Sequence, residues 1–169
     1  ETNVAADKNV AVGYGSLRVA TKATTADTYN TAVGYNSGRE VTSGEANTIL
    51  GAHAGDSITT GNHNTAIGLN TGTSLNTGAQ NTLIGSLAGD SLTTGNHNIA
   101  IGYQALSAED AGQRSVAIGG FSLSSQNVDG LNYNVAVGYS AGAAVTTGIN
   151  NTIMGGLAGD ALVTGSYNV

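Results

Sequence analysis

The fold class predicted from the sequence is all-β, a parallel β-helix or β-roll of about nine 17-residue coils, and three observations predict it. A glycine recurs at a near-constant interval, the segments between glycines are too short for helices, and aliphatic residues fall in fixed columns relative to that glycine. The marker closes each "N-x-x-apolar-G" and stands at Gly13, Gly34, Gly51, Gly68, Gly85, Gly102, Gly119, Gly138 and Gly155, with spacings of 21, five of 17, then 19 and 17.

Within a coil, the stretch before the marker is a strand, because segments of 4–5 residues between glycines suit strands alone. Position −1 reads Val12, Val33, Leu50, Ile67, Ile84, Ile101, Ile118, Val137 and Met154, and position +7 reads Val41, Ile58, Leu75, Leu92, Val145 and Leu162. Both columns are expected to line the inside. Further glycines at +4 and +10, such as Gly55 and Gly61, mark corners that need positive φ. At −4 stand Asn9, Asn30, Asn47, Asn64, Asn81, Asn98, Ser115, Asn134, Asn151 and Asn168, a ladder in which each side chain bonds the backbone turn of the next coil. Coils separated by the usual strand spacing of about 4.8 Å make a column ~40 Å tall.

A slower period of 34 residues lies over the first. Position +1 is large in alternate coils (Tyr35, Leu69, Tyr103, Tyr139) and small between them (Ala52, Ser86, Gly120, Gly156). Position −2 does the reverse, with Ala32, Ala66, Ala100 and Ala136 against Ile49, Leu83 and Ile153, and Ala117 as the exception. Complementary volumes in neighbouring layers are what dense packing demands. Positions −1 and −2 are both apolar, although a strand sends them to opposite faces. A strand apolar on both faces is normally buried on both. No helical pattern supplies a cover, so self-association is expected, with three chains about one axis the natural closure.

Composition narrows the chemistry. The chain has 26 glycines, no proline, no tryptophan and no cysteine, which removes disulfides, thiolate metal sites and thiol nucleophiles. Its net charge of −6, with only five lysines and arginines, gives no cationic footprint for nucleic acid. No apolar run is long enough to span a bilayer, so neither membrane insertion nor a nucleic-acid partner is expected.

The units "NTAVGYNSG", "NTAIGLNTG", "NIAIGYQAL" and "NVAVGYSAG" resemble the head repeats of trimeric autotransporter adhesins, whose fold is a left-handed parallel β-roll in a tight trimer. The longer unit "AGDSLTTGNHNIAIGYQAL" is more similar to repeats of bacteriophage tail-fibre and tail-spike proteins. The resemblance covers residues 4–169 and departs from the adhesin pattern in coil length, 17 residues against roughly 14. It implies a left-handed homotrimer, a virion tail-fibre or extracellular cell-surface location, and host-surface glycan or protein as partner. Residues 1–169 read as one repetitive fibre segment, ending inside a repeat as a piece of a longer chain would. The bacterial adhesin head and a monomeric ice-binding or other solenoid are the alternatives.

Candidate chemistry is sparse. "GYSAG" at residues 138–142 matches a nucleophile elbow at Ser140, but in-register copies "GYNSG" and "GLNTG" assign its glycines to the repeat. Asp56, Asp90 and Asp160 recur in "AGD", one carboxylate per coil, and suit corner capping better than calcium. His63 and His97 share a place beside a glycine corner, as exposed loop residues would. Thr59-Thr60, Thr93-Thr94 and Thr146-Thr147 form an irregular row. Glu40, Glu45, Glu109, Asp110 and Asp129 propose no catalytic pair. No enzymatic activity, metal or cofactor is expected. Breaks in a repeat map to loops, often binding ones. The first, at residues 17–29, offers Arg18, Lys22, Asp27 and Tyr29; the second, at residues 124–133, offers Asn127, Asp129, Asn132 and Tyr133.

Overall fold

A computed structural model describes residues 8–20 and 27–169. Its strands are β1 (Val10–Val12), β2 (Thr31–Val33), β3 (Thr48–Leu50), β4 (Thr65–Ile67), β5 (Thr82–Ile84), β6 (Ile99–Ile101), β7 (Gly112–Gln113), β8 (Val116–Ile118), β9 (Gly130–Leu131), β10 (Val135–Val137) and β11 (Thr152–Met154). Nine of them form one parallel sheet in the order β1-β2-β3-β4-β5-β6-β8-β10-β11, so the chain makes about eight turns of a β-solenoid. No helix occurs among the described residues. Register follows the repeat: Thr48 pairs Thr65, and Thr65 pairs Thr82. The second break adds a separate parallel pair, β7 with β9, Gly112 opposite Gly130.

The asparagine ladder forms as the sequence predicts. Asn64 N donates to Asn47 Oδ1 at 2.9 Å, and Asn64 Nδ2 donates to the Gly78 carbonyl at 2.8 Å. The pattern repeats at Asn81, where N meets Asn64 Oδ1 at 3.0 Å and Nδ2 meets the Gly95 carbonyl at 2.9 Å. Each asparagine thus closes its own coil and seats the next, leaving few buried backbone groups unpaired. Two residues earlier in the coil runs a shorter series of opposite polarity: Asn62 Oδ1 accepts from Glu45 N at 2.7 Å and Asn96 Oδ1 from Ala79 N at 2.8 Å.

The interior differs from expectation in one column. Position +7 is inside, with Ile58, Leu75 and Leu92 fully buried, but its partner is −2 rather than −1. Ile49 and Leu83 are 0% exposed, whereas Val12, Leu50 and Met154 are 55%, 45% and 71% exposed. Strand alternation forces the two positions to opposite sides, and the corners close the coil around −2.

Volume complementarity holds inside, by a device the 34-residue period only hints at. A Cβ on Gly72 would lie 2.7 Å from Leu83 Cδ1, and one on Gly89 would lie 2.9 Å from Leu83 Cδ2, so each large −2 side chain fills the space left by +4 glycines. Where −2 is alanine in three successive coils (Ala100, Ala117, Ala136), the +4 glycine is replaced by Leu106 and Leu123, both fully buried. The exceptional Ala117 is thereby accommodated. Those leucines keep the corner's positive φ, 54° and 47°, a strain tolerated because their side chains refill the core.

Candidate interaction surface

Two surfaces can meet a partner: the outward side of the sheet and the loops at the breaks. On the sheet, −3 and −1 flank the buried −2 residue and face away from the interior, as in β4 and β5, where the outer residues are half-buried and the central one is buried. This side carries the −1 aliphatics beside threonine, valine or isoleucine at −3. Beyond the strand, Tyr14 stacks on Tyr35 with ring centroids 5.5 Å apart, and Phe121 meets Tyr103 and Tyr139 edge-on at 5.3 and 5.9 Å. Tyr14, Tyr35, Tyr103 and Tyr139 are all exposed, so two aromatic clusters, separated by Ala52, Leu69 and Ser86 at +1, lie beside the aliphatic face.

At the first break, Asp27 Oδ2 accepts from Lys8 Nζ at 2.5 Å and from the Tyr29 hydroxyl at 3.0 Å. The Lys8 ammonium lies 5.4 Å from the centre of the Tyr29 ring. The hydrogen bond from Lys8 is the main reason the Asp27 carboxyl titrates below the usual range. Arg18 stands apart, 3.3 Å from Glu40 Oε1. Lys22 lies outside the described residues.

At the second break, Asn127 and Asp129 are exposed, and Asn127 N donates to the Thr146 carbonyl at 3.0 Å. Tyr133 is also exposed; its hydroxyl accepts from Arg114 Nη1 at 2.8 Å, with the guanidinium 5.6 Å from the ring centre. Asn132 departs from its expected place in the loop's exposed set. It is fully buried, and its Nδ2 donates to Glu109 Oε2 at 3.0 Å.

Glu109 is the residue that sequence reasoning misses. It and Gln126 occupy +7 in the coils of Gly102 and Gly119, where an aliphatic stands elsewhere, and both are fully buried. Glu109 Oε1 accepts from Gly112 N at 2.8 Å, Oε2 accepts from Gln126 Nε2 at 2.7 Å, and the backbone N–H groups of Val128 and Asp110 add to this. Gln126 Nε2 also donates to Ser115 Oγ at 2.9 Å, while its Oε1 accepts from Asn134 Nδ2 at 2.7 Å. Gln126 therefore bridges the one rung where serine replaces asparagine. Burial pushes the Glu109 carboxyl above its ordinary value, against the pull of these donors. The polar +7 pair flanking the lone Ser115 is the signal in the sequence that marks this cluster.

The remaining motifs are absorbed by the solenoid. Ser140 sits at a corner with φ 53°, as Asn36 and Asn70 do at 51° and 53°. The Thr59 and Thr93 hydroxyls donate to Asn76 Oδ1 and Asp110 Oδ1, and those of Thr42 and Thr146 to the carbonyls of Thr59 and Val163. That threonine column is bonded along itself, and the adjacent Thr60, Thr94 and Thr147 are exposed. His63 and His97 are exposed at positive-φ corners, and the described residues hold no group of three or more histidine, aspartate or glutamate side chains able to grip a metal.

No protein-family model, curated protein or solved structure matches this chain.

Proposed function

We propose that the chain is a rigid structural and attachment segment of a homotrimeric extracellular fibre, of the bacteriophage tail-fibre kind that its repeats resemble. The observation that carries this reading is the outward side of the nine-stranded sheet, where the aliphatic at −1 is half-buried or exposed in every described coil. An apolar strip running the length of a molecule marks an association surface. Three such strips turned toward a common axis would cover one another by a closed, cyclic contact. The job of such a rod is mechanical: to project and space a tip, or to offer weak sites in three copies whose avidity exceeds each alone. The exposed Asn127, Asp129 and Tyr133, and Arg18, Asp27 and Tyr29 on the other break, are the side chains offered to a host-surface glycan or protein.

Solution mass by light scattering tests the assembly. A mass of three chains that falls to one in Ile84→Glu, a substitution on the outward side, supports the trimer. A single-chain mass for the unaltered protein across the accessible concentration range overturns it.

A further inference from the structure

Glu109 takes an interior position that is aliphatic in the preceding coils, and among the described residues it has no ion-pair partner. Its neighbours in the column are Leu92 in the coil before and Gln126 in the coil after, both neutral. The charged residues of the adjoining segments lie elsewhere. Asp110 accepts the Thr93 hydroxyl at the exposed rim, Arg114 engages Tyr133, Asp129 is exposed, and Asp90 belongs to a different column of the preceding coil. A buried carboxylate without a countercharge is costly. Its neighbour Asn132 carries the second anomaly: Oδ1 is buried and has no hydrogen-bond partner, while Nδ2 of the same amide faces Glu109 Oε2 at 3.0 Å.

We propose that Glu109 and Asn132 form a proton-operated latch on the loop of residues 124–133. In the ionised state Glu109 Oε2 accepts from Asn132 Nδ2. When Oε2 takes one proton from solvent, the Asn132 amide turns over, and the carboxyl O–H donates to the Oδ1 that has no partner in the ionised state. Gly112 N continues to bond Oε1, so the carboxyl stays in place. The turn gives up the Asn132 Nδ2 bond to Oε2 and moves that NH2 into the place Oδ1 held, while Gln126 Nε2 stays on Oε2.

The direction of the pH response follows from burial. A carboxyl held above its ordinary value binds its proton more tightly with the loop seated than with the loop open and the group in water. The stabilisation is therefore complete below the open-chain glutamate value and is lost as pH rises through the raised value. Acid seats the loop and alkali loosens it. The exposed Asn127, Asp129 and Tyr133 sit on this loop, so the latch sets how rigidly they are displayed.

The test is a carboxyl-carbon NMR titration of the 169-residue chain, with amide-exchange protection followed at Gly112 and Val128. Glu109 is expected to titrate above the ordinary glutamate range, and the Asn132 side-chain NH2 signals to move at the same midpoint. Protection at Gly112 and Val128 should be severalfold higher on the acid side, while Thr65 and Gly68, two coils before that of Glu109, do not respond. Glu109→Gln, whose amide can donate to Asn132 Oδ1 at every pH, should abolish the response. Titration of Glu109 within or below the ordinary range, or loop protection unchanged through its midpoint, overturns the latch. Both of those readouts come from the unaltered chain and stand even if the variant folds poorly. They also hold for one chain or three.

Discussion

The ladder asparagine works because a primary amide can donate and accept at once, and Asn64 uses both ends: Nδ2 closes on the Gly78 carbonyl while Oδ1 receives Asn81 N at 3.0 Å and Asn81 Nδ2 at 3.1 Å. Asn64→Ala leaves a buried carbonyl and a buried N–H without partners, each worth about 1–3 kcal/mol. The expected loss is about 3 kcal/mol, read as a lower urea midpoint at unchanged slope. The marker glycine is constrained for a different reason. At Gly51, φ is 134° and a Cβ would lie 2.3 Å from the Gly68 carbonyl oxygen, so the next coil forbids any side chain. Gly130 is the control, with φ 94° and nothing within 4 Å of the same added atom. Gly130→Ala should cost only the backbone strain, about 1–3 kcal/mol. Gly51→Ala, which adds backbone overlap to strain, should cost clearly more in the same urea series.

At the scale of the element, the coil that carries the second break is held together differently from the rest. Ser115 is too short to reach as a ladder rung reaches, and Gln126 spans the gap from the +7 column between Ser115 Oγ and Asn134 Nδ2. The two positions should therefore be coupled. Ser115→Asn alone crowds Gln126, and Gln126→Leu alone deprives Ser115 Oγ of its donor and leaves Glu109 Oε2 with Asn132 Nδ2 but without Gln126. In the double variant the introduced asparagine is free to take the rung, and the introduced leucine restores the aliphatic column. A double-mutant cycle in urea should show a favourable coupling of about 0.5–3 kcal/mol; simple additivity would show that Gln126 does not substitute for the missing rung. The same coil shows what was legible in the sequence. Strand, corner and ladder could be read because the repeat prints each of them many times. The choice between −1 and −2 for the interior could not, since both columns are apolar and alternation says only that they face opposite ways. Glu109, Gln126 and Asn132 look like ordinary loop polarity when read along the chain. Only the register, which sets Glu109 and Gln126 in line with Leu92, shows them to be interior. Lys8 and Arg114 do not stand out as partners of Tyr29 and Tyr133 because they lie one coil away in the same column, 21 and 19 residues earlier in the chain.

Across the whole molecule, each coil of the large sheet pairs only with the coils before and after it. In such an array, stability is a sum of coil terms and neighbour terms, and an end coil has one neighbour instead of two. Beside the coil of β11 lies an open pocket of about 280 Å³ whose lining includes Ile153, Met154, Ala158 and Leu162. In the 169-residue chain on its own, amide protection should be highest in the central strands β4 to β6 and fall steadily through β10 to β11. The backbone bonds run along the column, from Thr65 N to the Asn81 carbonyl and from Gly68 N to the Leu50 carbonyl, so lateral association through the −1 face adds no backbone bond to any coil. Covering that face would add apolar burial to every coil alike. Raising the protein concentration through the association range should lift protection by a similar factor in all the central coils while leaving the gradient toward β11 in place. A profile flat along the chain would mean that the solenoid opens as one cooperative unit, and the nearest-neighbour account would fail. A gradient unmoved by concentration, in a sample whose scattering mass rises toward three chains, would place the contact somewhere other than the aliphatic face.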